Sequence, residues 1–477
     1  MSPRASDKMT RGRDGVYFAA GQGAWATAHK GSDAPSLSDT GMQPKTPRPS
    51  GLRLGPASAA SGRLAVPDPG TASPPFLTSI RPEAQRGSRG ISSEALKILH
   101  GIAALDTEKG GPSACVTALC DKLACIADRV TLLSTVCDNR SRVLAPSKAV
   151  DLQLVKGYHV LGSDYSPAMR AWLRENGCKY DVMHSNGMWL PPNLYLRKAA
   201  TEAHKPLIIS PHGMLQKAAL QRSSWKKRIA RRLYEDANLR AAACFHATSP
   251  AELQSIRDCG LRQPVAVIPH GVSLDEYAPP SEKRADPTRN VVFLGRLHPH
   301  KGLETLLRAW TMHSPGVWKL LVAGNGPEHY RKKLQAEIEA LNLQSSVRLC
   351  GPVYGETKSK LLADAQVLVL PSKSENFGLV VAEALACGTP VIATKGAPWR
   401  DLVEWRCGWW IDVGVAPLAE ALKEAMSLPP EKLGEMGQRG RQLIETKYRW
   451  ERAARQMIEV YQWLLDGGDK PKCVMTY

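Results

Sequence analysis

The chain has 477 residues, enough for two domains of ordinary size with separate cores, and 43% of them are hydrophobic, which excludes a wholly disordered protein. A formal charge of +18 calls for an anionic partner and by itself leaves nucleic acid, an acidic membrane surface and phosphorylated small molecules open. Eleven cysteines, an odd number without a C-x-x-C pair, argue against a disulfide framework or a zinc site, and no apolar run reaches the roughly 18 residues of a membrane span. Reduced, mostly buried thiols in a cytoplasmic protein follow from this. Residues 1–93 are rich in Gly, Pro, Ser, Ala and Arg without helical or strand period, and are expected to be a disordered low-complexity tail.

Order is expected from residue 94 to 278. ALKILHGI reads as a strand, followed by a loop with Gly110 and Gly111 and by the helical pattern ACVTALCDKLA. Strand, glycine loop and helix open a nucleotide-binding α/β unit, although a full G-x-G-x-x-G is absent. RVTLLST, VDLQLVKG and YDVMHSNGM continue the strands, with SPAMRAWLREN as a helix between them. KPLIISPHGML ends a strand and delivers His212 into a loop, where in an open parallel sheet it can reach a ligand. From Gln216 to Ala242 the cations Lys217, Arg222, Lys226, Lys227, Arg228, Arg231 and Arg232 are interleaved with Trp225, Ile229 and Leu233 at helical spacing. Such a helix either lies on an anionic bilayer or packs on its own domain with a solvated basic face. Strands ACFHATS and PVAVIPHGV complete the domain.

The polar, proline-bearing residues 279–289 read as a linker, and residues 290–448 repeat the strand and helix alternation. NVVFLGRLHPHKGLE ends a strand at Gly295, with Arg296 and Lys301 flanking the loop into the next helix; two such cations suit a diphosphate. WKLLVAG leads to Gly324, Asn325, Gly326 and Pro327. After strand SVRLCG comes VLVLPSKSENFGLVVAEALACGTPVIA, a buried strand, a loop and a helix beginning at Gly378. Amides at Asn376, Phe377 and Gly378 favour an anion, while the carboxylates of Glu375 and Glu383 suit hydroxyl groups. Anion plus polyol describes a sugar nucleotide. Residues 449–466 read as a terminal helix packing back on the first domain, and 467–477 as a tail.

Taken together, GRLxxxKG, GxGP and PSxxExFGLxxxEALAxGxPVIAT, with Glu375 and Glu383 as an E-x7-E pair, resemble glycosyltransferase family 4, the retaining enzymes of the GT-B fold. The resemblance implies an α/β protein of two Rossmann-like domains facing each other across a cleft, acceptor side first and donor-nucleotide side second. It implies that Arg296 and Lys301 bind the donor diphosphate, Glu383 the ribose and Glu375 the transferred sugar. Amides from Phe377 to Leu379 would support phosphate and sugar, Gly295 would join them in binding the donor, and Gly110 and Gly111 would admit the donor from the other domain. His212 would contact the sugar or acceptor near the reacting carbon. The leaving phosphate would itself take the acceptor proton, with no cofactor and no metal. MWLPPNL, the HGML loop with its basic helix, and APW followed by GWW are similar to bacterial enzymes that build exopolysaccharide or lipid-linked glycans. This implies a polyprenyl-diphosphate-linked or glycan acceptor and peripheral contact with the inner face of the plasma membrane. The chain departs from the family pattern at His270 and at Ala397, Pro398 and Trp399, both near expected ligand contacts.

Three other readings compete. Nucleic-acid binding would use the charge but lacks an aromatic platform or known module, so no nucleic-acid partner is expected. A non-catalytic GT-B scaffold would dispense with Arg296, Lys301 or Glu375, and all are present. A sugar-nucleotide epimerase of similar fold is the alternative within enzymes.

Overall fold

The computed structural model describes residues 95–105, 111–137, 143–160, 163–221, 224–277, 289–313 and 316–477. Of the expected tail 1–93 it describes only the antiparallel pair Thr10–Arg11 and Tyr17–Phe18, and residues 279–288 of the expected linker lie outside the described residues.

Runs of Val, Ile and Leu become strands buried on both faces, the pattern of parallel sheets covered by helices. In the first half these are β1 (Lys97–Ala104), β2 (Arg129–Val136), β3 (Asp151–Lys156), β4 (Val182–Asn186), β5 (Leu207–Ser210), β6 (Cys244–Ala247) and β7 (Val265–Val267). In the second they are β8 (Arg289–Leu294), β9 (Trp318–Ala323), β10 (Val347–Gly351), β11 (Val367–Leu370), β12 (Val391–Thr394) and β13 (Gly408–Ile411). β4, β11 and β12 are buried along their whole length.

Both sheets are doubly wound. The second has the order β10-β9-β8-β11-β12-β13, and the first runs β3-β2-β1-β4-β5-β6-β7 before one further edge strand. In each, the order reverses beside the first strand, between β1 and β4 and between β8 and β11. Ligand crevices of such sheets open at that switch point, beyond the carboxyl ends of the strands. The loops after β8 and β11 carry Arg296 and Glu375; β4 itself ends at Asn186.

Helix Trp450–Asp466 returns to the first sheet. Its apolar face, with Trp450, Met457 and Tyr461, joins the core of Leu96, Ile98 and Cys115. Residues 467–477 are not merely a tail: β14 (Val474–Met475) pairs antiparallel with β7, so backbone groups at that edge are satisfied by the chain's own end. A second difference lies before β11. Helix Gly355–Asp364 stands where the sequence pattern shows no element, because Leu362 is its one buried side chain and leaves no apolar stripe to detect. No helix among the described residues is long and apolar enough to cross a membrane.

Candidate functional site

On the second sheet the strand ends set two cations. Gly324 has φ +153°, and a Cβ there would lie 1.7 Å from the Gly295 carbonyl oxygen, so only glycine lets the loop after β9 press on the loop after β8. Leu297 N–H donates to the Asn325 carbonyl at 2.7 Å, which holds the Arg296 loop in place. Gly302, at φ +72°, would carry a Cβ 2.1 Å from the Pro371 carbonyl oxygen. That approach brings Lys301 to the loop after β11, where its ammonium pairs with Glu375 Oε1. Ser372 Oγ donates to the same oxygen at 2.6 Å, and Glu375 N–H to the Gly396 carbonyl at 2.7 Å. Arg296 is exposed and shares a pocket of about 380 Å³ with Lys301, Glu375, Gln216, His300 and Trp189.

Glu383 lines a second pocket of about 300 Å³ with Cys115, Tyr277, Lys358, Leu379 and Trp450. Lys358 Nζ pairs with Glu383 Oε1 at 3.0 Å. Burial, then the Glu383 charge, pushes the Tyr277 hydroxyl well above the usual phenol range. Gly111 opens helix Gly111–Leu123, and a Cβ on it would lie 3.8 Å from Leu379, so these two predicted donor contacts face each other across the sheets. Gly110 lies outside the described residues.

Between the two pockets, the loop from Glu375 to Gly378 touches the first sheet. Asn376 Nδ2 donates to Thr248 Oγ1 at 3.0 Å, Ser249 Oγ to the Asn376 carbonyl at 3.4 Å, and Gln216 Nε2 to the Glu375 carbonyl at 3.2 Å. Phe377 is buried against His270, Trp399 and Tyr448, with ring centroids 5.4, 5.1 and 5.8 Å away. Gly378, at φ +82°, caps helix Leu379–Ala386. The two departures from the family pattern sit beneath this loop rather than in a pocket. Trp399, 1% exposed, donates from Nε1 to the Phe377 carbonyl at 2.6 Å, and His270 is wedged between His212 and Phe377. Their rings pack against the loop from below.

His212 follows β5 with φ +50°, a strained position for a residue with a Cβ. Its turn is held by Glu252, fully buried, which accepts from Gly213 N–H at 2.6 Å and from Thr248 N–H and Oγ1 at 2.8 Å each. Burial raises the Glu252 carboxyl, and these three donors act against that rise. His212 stacks on His270 at 5.8 Å, and its Nε2 lies 3.2 Å from Asn186 Oδ1. Burial, then the nearby His246, holds the His212 imidazole down to about 3, so it is neutral at physiological pH. Among the described residues its Nδ1 has no hydrogen-bond partner.

Lys358, Gln216, Asn186 and Glu252 are site residues that sequence reasoning missed. Lys358 had one available signal, the Gly355 start of its helix; the others are ordinary polar residues until the fold joins them. Among the described residues the basic segment forms helices Lys217–Gln221, Ser224–Ala230 and Asp236–Arg240, the last two joined by the π-turn Arg231–Glu235. Trp225, Ile229 and Leu233 are 62%, 50% and 74% exposed, so the apolar stripe faces outward instead of packing on its own domain. A cavity of about 1040 Å³ runs along the outer face of helix Trp450–Asp466 and contains no predicted site residue.

Two Rossmann-like domains, the second with carboxylates paired to cations beside its switch point, define the GT-B glycosyltransferase class. The comparisons with known proteins agree. The family described as Glycosyltransferase Family 4 matches residues 109–276, and Glycosyl transferases group 1 matches residues 276–443. A D-inositol 3-phosphate glycosyltransferase of Xylanimonas cellulosilytica is 30% identical over 303 residues, 59% of this chain and 72% of the relative. The chain therefore belongs to glycosyltransferase family 4. Among solved structures, sucrose-phosphate synthase from Thermosynechococcus elongatus has the same fold at TM-score 0.65 and 22% identity, over 78% of this chain and 100% of the other. HepE of Anabaena, solved with UDP-glucose, follows at TM-score 0.61 and 20% identity, over 76% and 99%.

Proposed function

We propose that this glycosyltransferase moves a sugar from a nucleotide-sugar donor to a glycan or lipid-linked acceptor with retention at the anomeric carbon. One observation carries the reading: Glu375 and Glu383, eight residues apart, each hold a lysine at the switch point of the second sheet. Each ion pair offers a cation to phosphate and a carboxylate to hydroxyl groups, and a nucleotide sugar presents both. Lys301 and Arg296 take the diphosphate, which frees Glu375 for the sugar hydroxyls, while Glu383 takes the ribose. The amides from Phe377 to Leu379 lie at a helix start, where their dipoles favour the same anion.

In the reaction the acceptor oxygen attacks the anomeric carbon as its bond to the leaving phosphate breaks, and the acceptor proton passes to a phosphate oxygen. Lys301 and Arg296 stabilise the charge that develops on the diphosphate, so protein cations take the part a metal plays elsewhere. The experiment is nucleotide release and product formation with a panel of UDP-, GDP- and ADP-sugars, offering an inositol phosphate and a polyprenyl-diphosphate glycan as acceptors. Transfer with an axial product from an axial donor is expected. An inverted product would overturn retention, and epimerised free sugar nucleotide without transfer would favour the epimerase.

The outward stripe of Trp225, Ile229 and Leu233, flanked by cations, supports peripheral binding to the inner face of the plasma membrane, where a lipid-linked acceptor is found. Cosedimentation with anionic vesicles should fall several-fold in a Trp225→Ser, Leu233→Ser variant. Equal binding by variant and wild type counts against the membrane role.

A further inference from the structure

Behind His212 a line of buried polar side chains crosses the first sheet. His212 Nε2 lies 3.2 Å from Asn186 Oδ1, and Asn186 Nδ2 lies 3.3 Å from His100 Nδ1. His100 Nε2 is 3.1 Å from the Tyr461 hydroxyl, which is 2.7 Å from His184 Nδ1. His184 Nε2 is 2.6 Å from Ser210 Oγ, which is 2.8 Å from His246 Nδ1, and His246 Nε2 is 2.9 Å from the Ile268 carbonyl oxygen. Asn186, His100, Tyr461, His184, Ser210 and His246 are all at most 3% exposed. Tyr461 comes from the terminal helix, so the line closes only when that helix is docked.

The direction of every bond is set from both ends. A carbonyl oxygen only accepts, so His246 carries its proton on Nε2 and accepts at Nδ1 from Ser210 O–H. Ser210 Oγ then accepts from His184 Nε2–H, and His184 Nδ1 accepts from Tyr461 O–H. The Tyr461 oxygen accepts from His100 Nε2–H, and His100 Nδ1 accepts from Asn186 Nδ2–H. Independently, Asn186 Nδ2 faces the Gly101 carbonyl oxygen at 3.3 Å, which fixes the amide with its oxygen toward His212. The two assignments meet without conflict. Burial holds His100 down to about 3 and His246 to about 4, and keeps His184 well below the usual range, so all three are neutral as this pattern requires.

We infer that Asn186 is a positioning residue that locks His212 as the Nε2–H tautomer, leaving its bare Nδ1 to accept a hydrogen bond from a hydroxyl of the bound sugar or acceptor. The ring atom that has no partner among the described residues is the acceptor this pattern leaves over. His212 thus selects a ligand with a hydroxyl donor at that point and rejects one that presents only an acceptor. The ligand half of the inference rests on the nucleotide-sugar reading; the tautomer half does not.

The test separates them. In the full chain labelled with 15N-histidine, with His212 assigned by its loss in His212→Asn, the ring should show a bare Nδ1 and a protonated Nε2 at pH 7. A protonated Nδ1 overturns the proposal. In Asn186→Ala the Nδ1–H form should appear beside the first, and an unchanged single tautomer there would remove the positioning role. For activity, asparagine places an oxygen where Nδ1 stands and glutamine where Nε2 stands. His212→Asn should therefore keep kcat/KM within about 10-fold of wild type, while His212→Gln loses about 100-fold, the scale of a buried group left unpaired. The opposite ranking would show that Nε2, not Nδ1, meets the ligand.

Discussion

The two walls of the cleft keep polar side chains away from bulk water in opposite ways. On the second sheet, the carboxylates of Glu375 and Glu383 are each paired with a lysine, Lys301 and Lys358. On the first, His100, His184, His212 and His246 are pushed to their neutral forms by burial and are ordered by hydrogen-bond direction. A charged wall meets phosphate and hydroxyl groups by Coulomb attraction that a small shift does not abolish. A neutral wall recognises by donor and acceptor pattern, where one reversed bond changes what fits.

The sharpest way to break the comparison is Lys301→Ala. If the charged wall supplies leaving-group stabilisation, kcat should fall about 10²–10³-fold, the usual cost of losing one preorganised electrostatic contact. The melting temperature should fall only modestly: the pair is 21% and 13% exposed, and losing the cation leaves the Glu375 carboxylate unpaired at a cost of about 1–3 kcal/mol. Steady-state kinetics and a thermal melt check both. Turnover within about 3-fold of wild type would take Lys301 out of the site, and a collapse in stability would make the pair structural instead.

This contrast also explains what could be read from the sequence. Arg296, Lys301 and Glu375 were legible because they stand in loops beyond the ends of recognisable strands, where charge in an open sheet has few bland explanations, and Glu383 because it follows Glu375 by eight residues in the next helix. The parallel, helix-covered character of the sheets followed from alternating apolar runs and helical patterns, and their strand order came only with the fold. Lys358 was hidden because its helix buries little. Asn186 and Glu252 were hidden for another reason: their work depends on what the fold places opposite them, and a buried amide is silent about which way it points. Tyr461 lies 277 residues from His184 in sequence, and nothing local ties them together. The exposed stripe of Trp225, Ile229 and Leu233 had two readings in sequence, and only the fold shows that it faces outward.

A smaller effect tests whether the first-sheet wall is neutral by burial in general. Glu235, 1% exposed, sits in the π-turn of the basic segment and accepts from Asn238 Nδ2 at 3.2 Å. Burial pushes its carboxyl up to about 7 from an ordinary 4.5, more than its hydrogen bonds pull it down. The folded state therefore binds this proton more tightly than the unfolded chain. The stabilisation from that proton is fully present below pH 4.5 and is lost as pH rises through 7. A shift of this size is worth on the order of 3 kcal/mol between those limits. Glu235→Gln carries no such proton, so it should lose less stability than wild type between pH 5 and 8 and be the more stable protein at pH 8. Urea midpoints of both chains at the two pH values measure the difference, and contributions from every other titrating group cancel in it. Parallel pH profiles for the two chains would mean that Glu235 is ionised in the folded protein, and that this wall too holds a buried charge.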